Sequence, residues 1–283
     1  MQNSINRNVM FQVTATIVTY KNSPEEILAV ADCFLKSKLD VHLYLVDNSP
    51  DPILGKYFEN DSKVDYYYVN ANRGFGAGHN VILRQTSKMG RYHIVLNPDI
   101  TFAEGTIESL YNYMEENTDV GNVMPKVVFP DGSFQYLCKL LPRPIDWFMR
   151  MLPIESIKKR INYRFEMRFA DFSKPMNVPY LSGCFMFLRK SVIEEIGVFD
   201  EHIFMYGEDA DLNRRIYQKF RTMYYPNVTI THDYEGGTHK SVRLFWITVK
   251  ALSYYLTKWG WLFDKERDFI NKKTISLYSS KEK

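Results

Sequence analysis

Four β-branched, apolar runs separated by helix-compatible stretches occupy the first hundred residues, and they restrict the fold more than any other feature. Val13–Tyr20 (VTATIVTY), Val41–Val46 (VHLYLV), Val64–Val69 and Tyr92–Leu96 (YHIVL) each read as a buried strand. After the first, Ser23-Pro24-Glu25-Glu26 offers an N-cap, a proline at the first helical position and a capping-box glutamate, so a helix is expected to about Lys38. A second helix is expected over Ala77–Lys88. This alternation implies an α/β, Rossmann-like and mainly parallel central sheet flanked by helices. Ligands of such sheets gather at the carboxyl ends of the strands. Thr19-Tyr20, Asp47-Asn48 and Asn97-Pro98-Asp99 all fall at those ends.

The second half is less regular. A helix is expected over Glu104–Asn117, a strand over Val123–Phe129, and a strand over Val178–Arg189. A short helix, Ser191–Ile196, carries its own capping box (Ser191, Glu194) and stops at Gly197. A helix from about Glu208 to Lys219, short strands near Thr222–Tyr225 and Val228–Thr231, and a final aromatic helix from Val242 to about Phe263 follow. Residues 139–176 break the pattern at Pro142, Pro144 and Pro153 and mix cations with Met and aromatic side chains. The expected organisation is one domain over 1–241 and an amphipathic helical extension and tail over 242–283, frayed from Lys281.

Composition narrows the class. Apolar residues make up 45% and charged residues 24%, ordinary globular values, which exclude a disordered chain. A net charge of +3 gives no footprint for nucleic acid. Cys33, Cys138 and Cys184 form no Cys-x-x-Cys pair and no disulfide framework, so a reducing, cytoplasmic setting is expected. The stretch Met1–Gln12 lacks the apolar core of a signal peptide, and Lys250 and Lys258 interrupt the apolar run Leu244–Phe263.

Four clusters could carry chemistry, each beside a plainer structural explanation. Asp47-Asn48-Ser49 could accept the imide N–H of uracil or thymine, or close the strand as an Asx turn. Asn72 to Asn80 is glycine-rich and suits close approach to a phosphate, or a tight turn. It is no dinucleotide fingerprint, because His79 stands where the third glycine belongs. Asn97-Pro98-Asp99 could hold a hard divalent cation or simply end its strand. Tyr206-Gly207-Glu208-Asp209-Ala210-Asp211, with Arg215 one turn on, crowds three acids into a helix start, where the helix dipole alone favours acids. His232, just after a strand, is a candidate metal ligand or a packed side chain.

In this order the segments TATIVTYKN (14–22), LVDNSPD (45–51), NANRGFGAGHN (70–80), VLNPDI (95–100), YLSGCFMFLRK (180–190) and FDEHIFMYGEDADLNRR (199–215) resemble family 2 glycosyltransferases of the GT-A fold. The likeness is to the bacterial rhamnosyltransferase-like branch, and THDYEGGTHKS (231–241) continues it. The resemblance implies that Thr19, Tyr20 and Asp47 line a nucleobase pocket, with Asn72, Arg73 and Gly74 near the nucleotide. It implies that Asp99 is the last acid of a metal motif that here reads Asn97-Pro98-Asp99, with His232 as second ligand to Mg²⁺ or Mn²⁺. Gly183 matches a tight spot beside the donor sugar, and Asp209 matches the general base; Glu208, Asp211 and Arg215 are expected to support it.

The activity so implied is inverting transfer of a sugar from a nucleotide-sugar, with dTDP-L-rhamnose as the expected donor and UDP-galactofuranose or a UDP-hexose as alternatives. A non-catalytic nucleotide-sugar-binding protein is the reading from another class. The expected acceptor is an oligosaccharide on a polyprenyl diphosphate in O-antigen or capsule assembly. Peripheral association with the inner face of the cytoplasmic membrane goes with it, since cations and aromatics interleave in 139–176 and 242–263.

Overall fold

A computed structural model describes residues 11–151, 154–234 and 242–279. The Val13, Val41 and Tyr92 runs form strands β1 (Val13–Thr19), β2 (Val41–Asp47) and β4 (Tyr92–Leu96), almost wholly buried; β3 (Val64–Tyr68) forms the edge. These four pair in parallel, in register Thr19↔Asp47↔Tyr68 and Ile17↔Leu96, so their carboxyl ends share one rim. Helix α1 (Pro24–Leu35) starts as expected, with Ser23 Oγ accepting from the amide of Glu26 at 3.2 Å. Helix α2 (Phe75–Leu83) is shorter than expected, and Thr86–Lys88 forms only a single 3₁₀ turn.

Beyond β4 the sheet changes character. Its strands are β5 (Ile100–Phe102), β6 (Val120–Val128), β10 (Phe185–Arg189) and β11 (Arg221–His232), with helix α3 (Thr106–Glu116) between β5 and β6. Among the described residues the order across the sheet is β3-β2-β1-β4-β10-β6-β11-β5. Strand β10 runs antiparallel to both β4 and β6, and β5 antiparallel to β11, while β6 and β11 pair in parallel, so the second half of the sheet is mixed. The fold is mixed α/β. Two short strands pair outside this path: β7 (Cys138–Lys139) with β9 (Tyr180–Leu181), while β8 (Met176–Asn177) adds to β11.

Several local expectations are corrected. Val178–Arg189 is not one strand: a turn at Gly183-Cys184 separates β9 from β10. The two strands expected after Arg221 are one, β11, whose pairing slips between Tyr225 and Thr229. Pro226, with no N–H to give the ladder, sits in that slip. Residues 139–176 contain two helices, α4 (Pro144–Met151) and α5 (Glu155–Phe165). Helix α6 (Lys190–Ile196) starts after Arg189 with no side-chain cap, so the Ser191 capping box does not form.

The C-terminal part holds the largest surprise. Helix α8 (Val242–Trp259) stops at Gly260, whose φ of +111° suits glycine, and a further helix α9 (Lys265–Tyr278) begins at an Asp264 N-cap. The tail from Lys281 lies outside the described residues, as does most of 231–241 beyond Tyr234. Asn271 of α9 bonds both the amide and the carbonyl of Leu141, at 2.9 Å each, and so ties the extension to the irregular segment. The seventh helix, α7 (Glu208–Tyr217), lies between this extension and the sheet, and both of its arginines serve as ties. Arg214, almost fully buried, forks onto Asp264 at 2.6 and 2.8 Å, reaches Glu266 at 2.7 Å and stacks on Trp259.

Candidate active site

At the rim of β1 and β2, Asp47 is 0% exposed. Its Oδ1 accepts from Thr19 Oγ1 at 3.1 Å and from the Ser49 amide at 2.9 Å, and its Oδ2 accepts from the Tyr66 hydroxyl at 2.6 Å. Asp47 therefore anchors the pocket wall rather than offering a bare carboxylate edge. Its neighbour Asn48, 2% exposed, donates from Nδ2 to Gly74 O at 3.3 Å, and its Oδ1 has no partner. A buried acceptor left unpaired costs free energy of about 1–3 kcal/mol unless a ligand supplies the donor. Sequence reasoning placed Asn48 only in a turn. Tyr20 is exposed beside this rim.

The glycine-rich loop folds over the same edge. Gly74 has φ +91°, and a Cβ there would sit 2.2 Å from Phe204 O, so no other residue fits. Asn72 Oδ1 accepts the Gly74 amide at 3.1 Å, and Arg73 stands exposed beside it with no acidic partner among the described residues.

Asp99 and His232 meet, although far apart in sequence, because β5 pairs with β11 in the register Ile100↔His232. His232 Nε2 lies 3.3 Å from Asp99 Oδ1, yet both atoms are buried and neither makes a hydrogen bond. The other ring nitrogen, Nδ1, lies 3.0 Å from Gln135 Oε1, and Gln135 Nε2 donates in turn to the His232 carbonyl at 2.7 Å. A proton on Nδ1, donated to Gln135, leaves Nε2 as a bare lone pair facing a carboxylate. Neighbouring ligands on an octahedral ion with bonds of about 2.0–2.1 Å stand about 3 Å apart, so the pair fits two positions on Mg²⁺ or Mn²⁺. Among the described residues no third His, Cys, Asp or Glu joins them. Gln135 carried no signal in the sequence.

Asp209, in the first turn of α7, is partly exposed. The Gly183 amide donates to its Oδ2 at 2.9 Å, and the Tyr180 hydroxyl lies 3.2 and 3.3 Å from its two oxygens. A Cβ on Gly183 would stand 3.0 Å from Asp209 Cβ, so this turn is tight against the acid. Asn97, only partly buried, donates its amide to Cys184 O at 2.9 Å, which puts the strand end leading to Asp99 next to the turn that holds Asp209. The Cys184 thiol registers both: burial pushes it up to about 12, and the charges of Asp99 and Asp209 add to the rise. Asp99 and Asp209 thus lie on either side of the contact between Asn97 and the Gly183-Cys184 turn, near the carboxyl end of β4.

Glu208 is buried, and burial together with the charge of Asp209 raises its carboxyl to about 8. Asp211 and Arg215 do pair, at 2.9 Å, but their surroundings are scaffold. Asp211 is wholly buried and also takes the Trp259 indole N–H at 2.8 Å and Lys258 at 2.7 Å. Arg215 spends its remaining donors on the carbonyls of Ile196 and Val198.

A parallel first half, a strand-end carboxylate paired with a histidine, and a second acid across an antiparallel strand match a GT-A glycosyltransferase architecture. Solved structures of that shape include GalNAc-T7 with UDP, GalNAc and Mn²⁺ (TM-score 0.65, 16% identity, covering 93% of this chain and 50% of that one). Another is Staphylococcus aureus TarS 1–349 with UDP (TM-score 0.56, 15% identity, covering 93% and 70%). The chain therefore spans about half the length of the GalNAc-T7 chain. A family model, Glycosyl transferase family 2, matches residues 15–197, and the chain belongs to this family. An N-acetylglucosaminyl-diphospho-decaprenol L-rhamnosyltransferase of Mycobacterium tuberculosis is 27% identical over 256 residues, 81% of each chain. The low-salt glycan biosynthesis hexosyltransferase Agl10 of Haloferax volcanii is 22% identical over 211 residues, covering 73% of this chain and 62% of that one.

Proposed function

We propose that the protein transfers L-rhamnose from dTDP-L-rhamnose, with inversion, to a saccharide on a polyprenyl diphosphate during assembly of a cell-surface polysaccharide of the O-antigen or capsule type. What supports this reading is the Asp99–His232 pair, together with an Asp209 held by the Gly183 turn, whose Cys184 carbonyl accepts the Asn97 backbone amide. The name of the mycobacterial relative supports the sugar and the carrier.

In this account Thr19, Tyr20 and Asp47 frame the base, and the unpaired Asn48 Oδ1 accepts its imide N–H. Arg73 and the Asn72-Arg73-Gly74 loop approach the nucleotide, and Asn97 and Gly183 border the sugar. Asp99 and His232 hold Mg²⁺ or Mn²⁺, which supplies Lewis-acid neutralisation of the leaving diphosphate. Asp209 takes the proton of the acceptor hydroxyl as its oxygen bonds the anomeric carbon and the bond to the diphosphate breaks. Tyr180 and the Gly183 amide fix that carboxylate in place. One displacement with no enzyme-bound sugar inverts the anomeric centre.

Membrane association is part of the proposal. Among the described residues no helix is long and apolar enough to cross a bilayer. A lipid-borne acceptor instead calls for an enzyme resting on the cytoplasmic face, and Leu262 and Phe263 (94% exposed) offer side chains for shallow insertion.

The test is transfer from dTDP-L-rhamnose and from a panel of UDP-sugars to a synthetic N-acetylglucosaminyl diphosphate lipid, with Mn²⁺ or EDTA, reading the anomeric configuration by NMR. Metal-dependent rhamnosyl transfer with inversion is expected. Preference for a UDP-sugar would replace the donor, and binding without transfer from any donor would leave a nucleotide-sugar-binding protein.

A further inference from the structure

Tyr234 stacks on the His232 ring, with centroids 5.5 Å apart and 28° between the planes. The Asp233 amide just before it donates to the Asp99 carbonyl at 3.0 Å, so this ring is fixed beside the metal pair. It is 43% exposed. Tyr206 is half-buried and precedes the helix turn of Asp209, with only Gly207 between it and α7. Burial pushes the Tyr206 hydroxyl up, and the neighbouring Tyr234 and Glu208 add to the rise. Tyr206 is thus a neighbour both of the ring that covers His232 and of the turn that carries Asp209. Neither hydroxyl makes a hydrogen bond among the described residues.

The backbone of Tyr206 is strained. Its φ of +73° lies in the left-handed region, which a bulky side chain adopts only against a steric penalty. Glycine would take that conformation freely, as Gly207 does beside it at +145°. The surroundings hold the strained residue from both sides. The Phe204 carbonyl accepts the Phe75 amide at 3.1 Å, and the Gly207 amide donates to Glu208 Oε2 at 2.9 Å. A ring kept at such a position points to a use for the ring itself.

Two partly exposed rings with unengaged hydroxyls suit a pyranose. One face of such a sugar is lined by C–H bonds, which pack on the negative face of an aromatic ring, while its hydroxyls bond the phenolic O–H. Exposure decides which sugar. Gly183, the proposed neighbour of the donor sugar, is buried, whereas Tyr234 opens to solvent, the side from which an acceptor arrives.

We infer that Tyr206 and Tyr234 seat the pyranose of the acceptor, presenting its hydroxyl to Asp209; the inference rests on the glycosyl-transfer reading above. The experiment uses the full chain and its Tyr206→Asn, Tyr206→Phe and Tyr234→Ala variants. Saturation-transfer NMR follows methyl N-acetyl-α-D-glucosaminide and methyl α-L-rhamnoside with saturating dTDP and Mn²⁺, and transfer kinetics give the two KM values. Asparagine tolerates the left-handed backbone, so Tyr206→Asn removes the ring without forcing the turn. Calorimetry of dTDP in EDTA, unchanged from wild type, verifies that each variant folds. The glucosaminide should weaken about tenfold in Tyr206→Asn and in Tyr234→Ala, the scale of one lost aromatic contact. Tyr206→Phe, which keeps the stacking face, should keep most of the affinity. Acceptor KM should rise in the same order while donor KM holds. No binding to the wild type, or unchanged binding in either ringless variant, would overturn the seat, as would a Tyr206→Phe loss equal to that of Tyr206→Asn. Loss of the rhamnoside alone, or a rise in donor KM alone, would give the rings to the donor sugar and overturn the acceptor assignment. If no donor supports transfer while the glucosaminide still binds through both rings, the transfer reading falls and the seat stands. If transfer proceeds with acceptor KM unchanged in either ringless variant, the seat falls alone.

Discussion

The two halves of the molecule place acids at the same rim by different physics. In the parallel half, Asp47 is where it is because β2 ends there, and the backbone ladder from Thr19 to Tyr68 fixes that end. In the C-terminal half, Asp209 sits on a short helix that side chains hold from both directions. Gly183 and Tyr180 grip the acid from the sheet side, and Trp259, Lys258, Asp264 and Glu266 grip α7 from the extension. The Asp47 side is built from repeated local structure, whereas the Asp209 side depends on a few side-chain contacts over long sequence separations. Changes in the second half should therefore act more sharply, on both chemistry and stability.

The largest effect is expected from Asp209→Asn. Loss of the base should lower kcat by about 10²–10⁴-fold with donor affinity intact, measured by transfer assay and nucleotide calorimetry. Next comes Asp264→Ala, which removes the main partner of a buried guanidinium. Breaking such a pair costs about 3–5 kcal/mol, to be read from urea midpoints, and the comparison between halves breaks if the loss is negligible. Gln135→Leu frees the His232 ring to adopt the wrong tautomer, and divalent-ion affinity should fall about 10–100-fold by Mn²⁺ titration with the fold intact.

The smallest effect is on the pH dependence of stability. Glu208 loses its proton near 8 in the folded chain against an ordinary 4.5. Between those values the native state keeps a proton that the unfolded state has released, so this residue makes stability fall as pH rises through that window. Glu208→Gln should flatten that part of the curve, which urea unfolding at pH 5, 6.5 and 8.5 would check.

The same contrast explains what could be read from the sequence. β1 to β4, the Ser23 cap and the acids at strand ends were legible because periodicity and turn chemistry are local. Asp99 and His232 could be matched only through a family resemblance, since nothing in either segment encodes the β5–β11 register. The break at Gly183-Cys184, the mixed strand directions and α9 were missed for the same reason: each is decided by what packs against it. Arg214 and Arg215 looked alike in the sequence, yet one clasps α9 and the other caps α6. Asn48 and Tyr66 were passed over because an unpaired buried oxygen, or a hydroxyl aimed at Asp47, exists only in three dimensions.

The division of labour across the cleft is tested most directly by measuring Mn²⁺-dependent dTDP binding in wild type, His232→Ala and Asp209→Asn by calorimetry. The account predicts that His232→Ala loses the enhancement by Mn²⁺ while Asp209→Asn keeps it in full. Equal retention in both, or equal loss in both, would contradict a donor side and an acceptor side served by different residues.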